Sequence, residues 1–206
     1  MEVLPAMAER VKFWIQELKD PSSDGVIWSI GVMNDPKEIE ILVEALTDED
    51  PSVRAAVAWA LGETRSPCAV DHLIEALKDE NERVRKCAAW GLAYTCDTRA
   101  AGPLIRALDD ESWQVRFAAA ESLGKIREAG VVDHLIKTLK DEDQTVRMGA
   151  TWSLGEIGDP KAVDSLVQLL NDGYSGCRIV AAEALEKLGW HESRRSRAAK
   201  FLKKIR

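Results

Sequence analysis

Cysteine, histidine and long apolar runs are scarce in this 206-residue chain. Its cysteines, Cys68, Cys87, Cys96 and Cys177, form no Cys-x-x-Cys pair and no regular framework, so we expect reduced thiols of the kind found in the cytoplasm and no metal site. The sequence lacks a Ser/His/Asp set and a glycine-rich phosphate loop, so it offers no catalytic residues. No segment approaches eighteen consecutive apolar residues, and no membrane span is expected.

Positive charge is also scarce outside one end of the chain. The net charge is −7, and residues 190–206 hold seven Lys or Arg against one Glu, which leaves about −13 for residues 1–189. A body this acidic lacks the cationic surface that contact with phosphates requires. We therefore expect neither a nucleic-acid partner nor a membrane.

One stretch, from Asp48 to Glu63, recurs along the chain at a step of 31 residues. Its Val53-Arg54 pair returns as Val84-Arg85, Val115-Arg116, Val146-Arg147 and Cys177-Arg178. Self-similarity at this period is typical of stacked repeat arrays, in which each unit is too small to bury its own apolar face. The sequence therefore predicts one elongated domain over residues 1–206.

Each repeat predicts two helices joined by a short acidic turn. In one unit, Val70, Leu73, Ile74 and Leu77 have the spacing of a single apolar helical stripe, and the second helix begins near the Val-Arg pair. An aspartate precedes each repeat arginine by six residues, at Asp48, Asp79, Asp110, Asp141 and Asp172. We expect these aspartates to cap the second helices and to pair with neighbouring arginines in a ladder along the stack.

The recurring run approximates Asp-Glu-Asp-x-x-Val-Arg-x-x-Ala-Ala-x-Ala-Leu-Gly in five units over residues 36–189. This run resembles the short HEAT-like repeat of phycobilisome bilin lyases and many archaeal and bacterial proteins. The resemblance implies an all-α, right-handed solenoid of about six antiparallel helix pairs, with a terminal capping helix. It also implies that the second helices line the concave side.

The two ends depart from the repeat. Residues 1–35 are expected to form an atypical N-terminal cap, with helices over about 8–19 and 25–33. Residues 190–206 are expected to form a basic C-terminal capping helix, because a solenoid needs a polar outer face at its end.

One column of equivalent positions in the second helices is rich in tryptophan. It contains Trp28, Trp59, Trp90, Glu121, Trp152 and Glu183. An unpaired carboxylate is costly to bury, so this column is expected to face solvent. With neighbouring columns it predicts a concave binding face that comprises Trp28, Trp59, Trp90, Tyr94, Phe117, Glu121, Met148 and Trp152.

The interpretation that follows is a non-enzymatic scaffold, without a cofactor, that binds a protein or peptide, another copy of the chain included. The tryptophans would supply rigid apolar area, and Glu121 would pair with a cation of the partner. Two alternatives remain open. One is a bilin lyase or pigment chaperone, and the other is an alkyl-base DNA glycosylase, which the position of Glu121 between Trp90 and Trp152 superficially resembles.

Overall fold

The computed structural model describes Phe13, Ile15 and residues 36–190. Within residues 36–190 the chain forms ten α-helices and no strands, arranged as five antiparallel pairs in a right-handed α-solenoid. The expected N-terminal helix pair with Trp28, and the expected basic C-terminal helix, lie outside the described residues.

The two helices of each pair differ in length. The first helices are α1 (Pro36–Glu44), α3 (Val70–Ala76), α5 (Ala101–Ala107), α7 (Val132–Thr138) and α9 (Val163–Leu169). The second helices are α2 (Pro51–Glu63), α4 (Glu82–Thr95), α6 (Trp113–Ile126), α8 (Gln144–Ile157) and α10 (Ser175–Lys187). Short 3-10 turns complete the units, at Ala45–Thr47, Pro67–Ala69, Thr98–Ala100, Ala129–Val131 and Pro160–Ala162.

A continuous apolar core runs between the two rows of helices. The predicted stripe of α3 points into it: Val70 and Leu73 are fully buried, and Ile74 and Leu77 are partly buried. The leucine that recurs in every second helix is buried throughout, at Leu61, Leu92, Leu123, Leu154 and Leu185. The repeat therefore supplies one core leucine per unit from each row, and the units share a single core.

Small residues bring the second helices unusually close together. A Cβ added to Gly62 of α2 would lie 2.2 Å from the Cα of Gly91 in α4, so only glycine fits there. Between α4 and α6, the Ser122 hydroxyl donates a hydrogen bond to the Ala89 carbonyl at 2.8 Å. Among the described helices, the second helices make the extensive contacts with their counterparts in adjacent units. The side of the solenoid formed by this tightly packed row is called here the inner face.

The predicted ladder of arginines and aspartates is confirmed, and it joins each unit to the next. Each arginine donates from Nε and Nη2 to both oxygens of an aspartate 25 residues ahead, at 2.8–3.0 Å. The four pairs are Arg54–Asp79, Arg85–Asp110, Arg116–Asp141 and Arg147–Asp172. Nη1 of each arginine also donates to two carbonyls of its own turn, as from Arg54 to Asp48 and Glu49.

The expectation that the ladder aspartates cap the second helices was wrong. The N-cap residue lies two positions later: Asp50 and Asn81 accept from the N–H groups of Ser52 and Arg83. The ladder aspartate instead accepts the N–H of the N-cap residue itself, as in the 2.9 Å bond from Asp50 to Asp48. This is an Asx turn, and it leaves the carboxylate close enough to the adjacent unit to accept both hydrogen bonds from the arginine guanidinium.

Candidate functional site: the inner face

The inner face is the least buried stripe of the second helices. In α2 this stripe is Ser52, Ala56, Trp59 and Glu63, spaced by four, three and four residues, whereas most of the remaining surface of α2 is covered by neighbours. The predicted tryptophan column does lie here. It is less open than the sequence suggested, because Trp59 and its counterparts in the next units are half-buried.

The close packing of the second helices explains that difference. A large side chain on the inner face packs against its equivalent in the adjacent unit, and each side chain covers part of the other from solvent. Glu183, in the last described unit, is the exposed member of the column, whereas Glu121, in the middle, is half-buried like the tryptophans. The expectation that the whole column faces solvent was therefore wrong for its central members.

Three aromatic rings form one cluster on α2 and α4. The ring of Trp59 lies edge-on to Trp90, with centroids 5.8 Å apart and planes at 89°. Trp59 also lies edge-on to Tyr94, at 5.5 Å and 78°. Edge-to-face contacts of this kind are favoured by the ring quadrupoles and hold the rings in fixed orientations. Trp59, Trp90 and Tyr94, called here the aromatic cluster, thus offer a rigid apolar surface.

Glu121 closes one side of the aromatic cluster. Its burial raises the pKa of the carboxyl, and a hydrogen bond from the Trp90 indole and the charge of Lys125 act in the opposite direction without cancelling that rise. From the sequence we expected this carboxylate to pair with a cation of a partner. In the structure Glu121 lies beside Trp90 and Lys125 of the chain itself.

An apolar strip continues the inner face beyond the aromatic cluster. Phe117, Met148 and Ile179 are equivalent residues of α6, α8 and α10; the first two are half-buried and Ile179 is 59% exposed. A Cβ on Gly149 would come within 2.7 Å of the Phe117 ring, so the glycine makes room for that ring against α8. Phe117, Met148 and Ile179 are called here the apolar strip.

Trp152 stands apart from the aromatic cluster. Among the described residues it makes no ring–ring contact, because the intervening position of its column is Glu121. Trp152 instead lines a pocket of about 460 Å³ at the C-terminal ends of α4, α6 and α8. The other side chains of this end pocket include Arg65, Tyr94, Lys125, Arg127 and Glu156. The described tryptophans of the column therefore form one ring contact, between Trp59 and Trp90.

Two lysines that the sequence analysis did not assign lie directly over the aromatic rings. Lys86 Nζ is 5.4 Å from the centroid of Trp90, and Lys125 Nζ is 4.8 Å from that of Tyr94. Both distances are in the range of cation–π attraction. The signal was present in the sequence, since each lysine occupies a column next to the tryptophan column, but its contact with a ring needed the geometry.

Two inner-face carboxylates, Glu156 and Glu63, interact with groups of the chain. Glu156 pairs with Lys187, which is the main reason that the pKa of its carboxyl is lowered, and also with Arg127 at 2.6 Å. Burial raises the pKa of Tyr94, and the charge of nearby Glu63 and its hydrogen bond with the phenol raise it further. No described cluster of His, Cys, Asp and Glu is arranged to hold a metal ion.

In the part of the chain that the structure describes, no helix is long and apolar enough to cross a bilayer. The inner face brings together aromatic rings, aliphatic side chains and cations, which are groups suited to contact with a partner. Of the eight residues predicted to form the binding face, seven lie on described second helices, and Trp28 lies outside the described residues.

Comparison with known proteins agrees with this architecture. The model for HEAT repeats matches residues 11–93, 70–141 and 103–186. A chain in the complex of CpcE and CpcF of phycocyanin lyase from Nostoc sp. PCC7120 is similar, with a TM-score of 0.68 and 28% identity over 79% of this chain and 69% of that chain. No curated protein matches this sequence.

Two other solved structures share the fold alone. An engineered protein gives a TM-score of 0.61 at 24% identity, over 88% of this chain and 90% of that one. A designed armadillo repeat protein in complex with the peptide (KR)4 gives 0.60 at 21%, over 85% and 98%. Because the family model spans most of the sequence, the chain belongs to the HEAT repeat family, whose helix pairs stack here as an α-solenoid.

Proposed function

We propose that the chain binds a protein or peptide segment along its inner face, without catalysing a reaction. The observation that carries this proposal is that five consecutive second helices, α2 to α10, carry large apolar side chains in equivalent columns, and that the rings on α2 and α4 are fixed by contacts with one another. Contiguous apolar surface of this kind is typical of interaction sites. Fixed rings also lose little conformational entropy when a partner binds.

The geometry suits a segment that runs across the helices. The apolar strip offers one side chain per unit, and packed helices are about 8–10 Å apart, roughly the length of three extended residues. A segment crossing α4 to α10 would therefore meet the aromatic cluster, then the apolar strip. The rigid tryptophans would act as anchors, since Trp is enriched among residues that dominate binding energy.

Similarity to the CpcE–CpcF complex supports a protein partner. In that complex a chain 28% identical to this one is assembled with another protein. The repeat scaffold itself supports the same function, because stacked units create extended concave surfaces.

A display library of random peptides, selected on the folded chain, tests this proposal. Selected peptides should bind Trp152→Ala at least about tenfold more weakly than wild type, which corresponds to about 1.4 kcal/mol. Ile136→Ala is the control, because Ile136 is half-buried like Trp152 but lies on α7, in the row of first helices. If no peptide is enriched, or if both variants weaken binding equally, the inner face is not the binding site.

Carriage of a tetrapyrrole pigment is the second candidate. It is favoured by the similarity to a chain of phycocyanin lyase and by the end pocket, where Tyr94 and Trp152 offer flat apolar walls beside Arg65 and Lys125. Titration with biliverdin should then shift the visible absorption band of the pigment, and Trp152→Ala should reduce the shift. An unchanged spectrum would exclude this candidate.

A further inference from the structure

From the charges of the inner face we infer that the segment it binds is acidic, with carboxylates placed between apolar side chains. This inference rests on the proposed function, because it assigns the chemistry of the partner at the same surface. It is unexpected for a chain whose net charge is −7. The negative charge, however, is not distributed evenly over the inner face.

Three carboxylates in the middle of the inner face lie against groups of the chain. Glu121 is half-buried beside Trp90 and Lys125, and Glu63 lies beside Tyr94. Glu156 is bound by two cations, Arg127 and Lys187. A basic partner would therefore have to compete with cations of the chain for Glu156.

Four other cations of the same region form no salt bridge with a described residue. Lys86, Lys125, Arg65 and Arg83 make no ion pair within residues 36–190. Arg83 lies in the first turn of α4, and Arg65 and Lys125 line the end pocket. Glu183 of α10 is an exposed carboxylate on the same face, so the excess of positive charge is confined to α4, α6 and the end pocket.

The two lysines over the rings are the most specific part of this site. Each ammonium lies over a ring of the aromatic cluster and keeps N–H donors for a partner, since neither lysine forms a salt bridge with a described residue. A carboxylate that reaches the ammonium makes a charge-assisted hydrogen bond, and the adjacent apolar side chain of the partner can rest on the ring. Lys86 is half-buried whereas Lys125 is exposed, so a pair with Lys86 is less screened than one on an open surface.

Three fluorescein-labelled peptides of eight residues, in which Trp alternates with Glu, Gln or Lys, separate charge from apolar contact. Fluorescence anisotropy with the full chain should give the Glu peptide an affinity at least about tenfold higher than the Gln peptide, as one or two hydrogen bonds to charged groups would produce. The Lys peptide should bind most weakly. The preference for Glu should also decrease as salt is raised.

Variants test whether the two lysines cause the preference. In Lys86→Gln/Lys125→Gln the ratio of Glu-peptide to Gln-peptide affinity should fall to within about twofold, and Lys86→Arg/Lys125→Arg should restore most of it. Lys137→Gln is the control, since Lys137 is exposed in the last turn of α7, in the row of first helices. Thermal unfolding followed by circular dichroism verifies that each variant is folded.

The results distinguish failure of this inference from failure of the proposed function. If the three peptides bind equally and Trp152→Ala weakens them all, the inner face binds apolar segments but the inferred acidic preference is wrong. If the preference survives in Lys86→Gln/Lys125→Gln, the lysines are not its source and the inference is also wrong. If no peptide binds, both the inference and the proposed function are contradicted.

Discussion

Arg54 of one repeat and Asp79 of the next are joined by two parallel hydrogen bonds, from Nε to Oδ2 at 2.8 Å and from Nη2 to Oδ1 at 2.9 Å. The arginine side chain is 10% exposed and that of the aspartate 14%. The same pair recurs at each described junction between units, so the register of the stack depends on a planar donor facing a planar acceptor.

Removal of one ladder carboxylate should therefore be costly. We expect Asp110→Ala to lower the free energy of unfolding by about 2–4 kcal/mol, because it leaves the Arg85 guanidinium partly buried without its main acceptor. The control is Asp71→Ala, which removes the pair between Arg99 and an aspartate side chain that is 74% exposed, and which should cost less than about 1 kcal/mol. Urea denaturation measures both. Equal losses would show that the ladder is no more stabilising than a surface pair.

The ladder should also make stability depend on pH. A hydrogen bond from Arg147 is the main cause that lowers the pKa of Asp172 in the folded chain. A lowered folded pKa stabilises the fold above the unfolded value of about 3.9, and this contribution is lost as pH falls through the folded pKa. We expect Asp172→Asn to be less stable than wild type at pH 7, with the difference shrinking below about pH 4.

Denaturant unfolding at pH 7 and pH 3 measures that difference. Asp164→Asn is the control, because Asp164 is exposed on α9 and makes no ion pair with any described residue. It should differ little from wild type at either pH. A gap between wild type and Asp172→Asn that is unchanged at pH 3 would contradict the assignment.

The contribution of Glu121 to stability should depend on pH with the opposite sign to that of Asp172. Because burial raises the pKa of its carboxyl, the ionised form is disfavoured in the fold. We expect Glu121→Gln to increase the free energy of unfolding at pH 7, by less than about 1.5 kcal/mol, since the amide oxygen can still accept from Trp90. The gain should fade as pH drops through the folded pKa towards the unfolded value of about 4.3, where Glu121 is protonated in both states.

Glu183→Gln supplies the comparison for this change. Glu183 occupies the same column but is exposed, so its substitution should alter stability by less than about 0.5 kcal/mol. If Glu121→Gln destabilises the chain at pH 7, its carboxylate makes a stronger contact than the described geometry supports.

The aromatic cluster should contribute to folding as well as to contact. Trp90 packs against the core and meets Trp59 edge-on, so we expect Trp90→Ala to cost about 2–3 kcal/mol, somewhat below the 3–5 kcal/mol of a fully buried aromatic. Trp113→Ala, at an exposed site, should cost less than about 1 kcal/mol. Similar small losses for both variants would mean that the cluster is a loose surface feature.

The repeat period was sufficient to predict much of the fold. Val53 and Leu61 recur at fixed positions, and each recurrence could only be a core position shared by stacked helices. The ladder was also predictable, because an Asp and an Arg at constant spacing imply a pairing that repeats. The helix caps were not, since Asp48 and Asp50 are both good capping residues and only the turn geometry decides between them.

The candidate site was harder to predict for a different physical reason. Burial on the inner face depends on how closely the helices approach, which is fixed by pairs such as Gly62 and Gly91 in different units. A helical projection treats each helix separately and cannot show that the ring of Trp59 packs against that of Trp90. For the same reason, the sequence did not show that Glu121 has a hydrogen-bond donor in the adjacent unit.

Methyl NMR of the chain with a selected peptide tests the central claim most directly, because it locates the partner on one face. Met148 and Ile179 carry methyl groups on the inner face, whereas Ile74, Ile105 and Ile136 lie on the first helices. The account predicts that a peptide from the display selection shifts the Met148 and Ile179 signals and leaves the three first-helix signals unchanged. Shifts confined to Ile74, Ile105 and Ile136 would place the binding surface on the first-helix row and contradict the account.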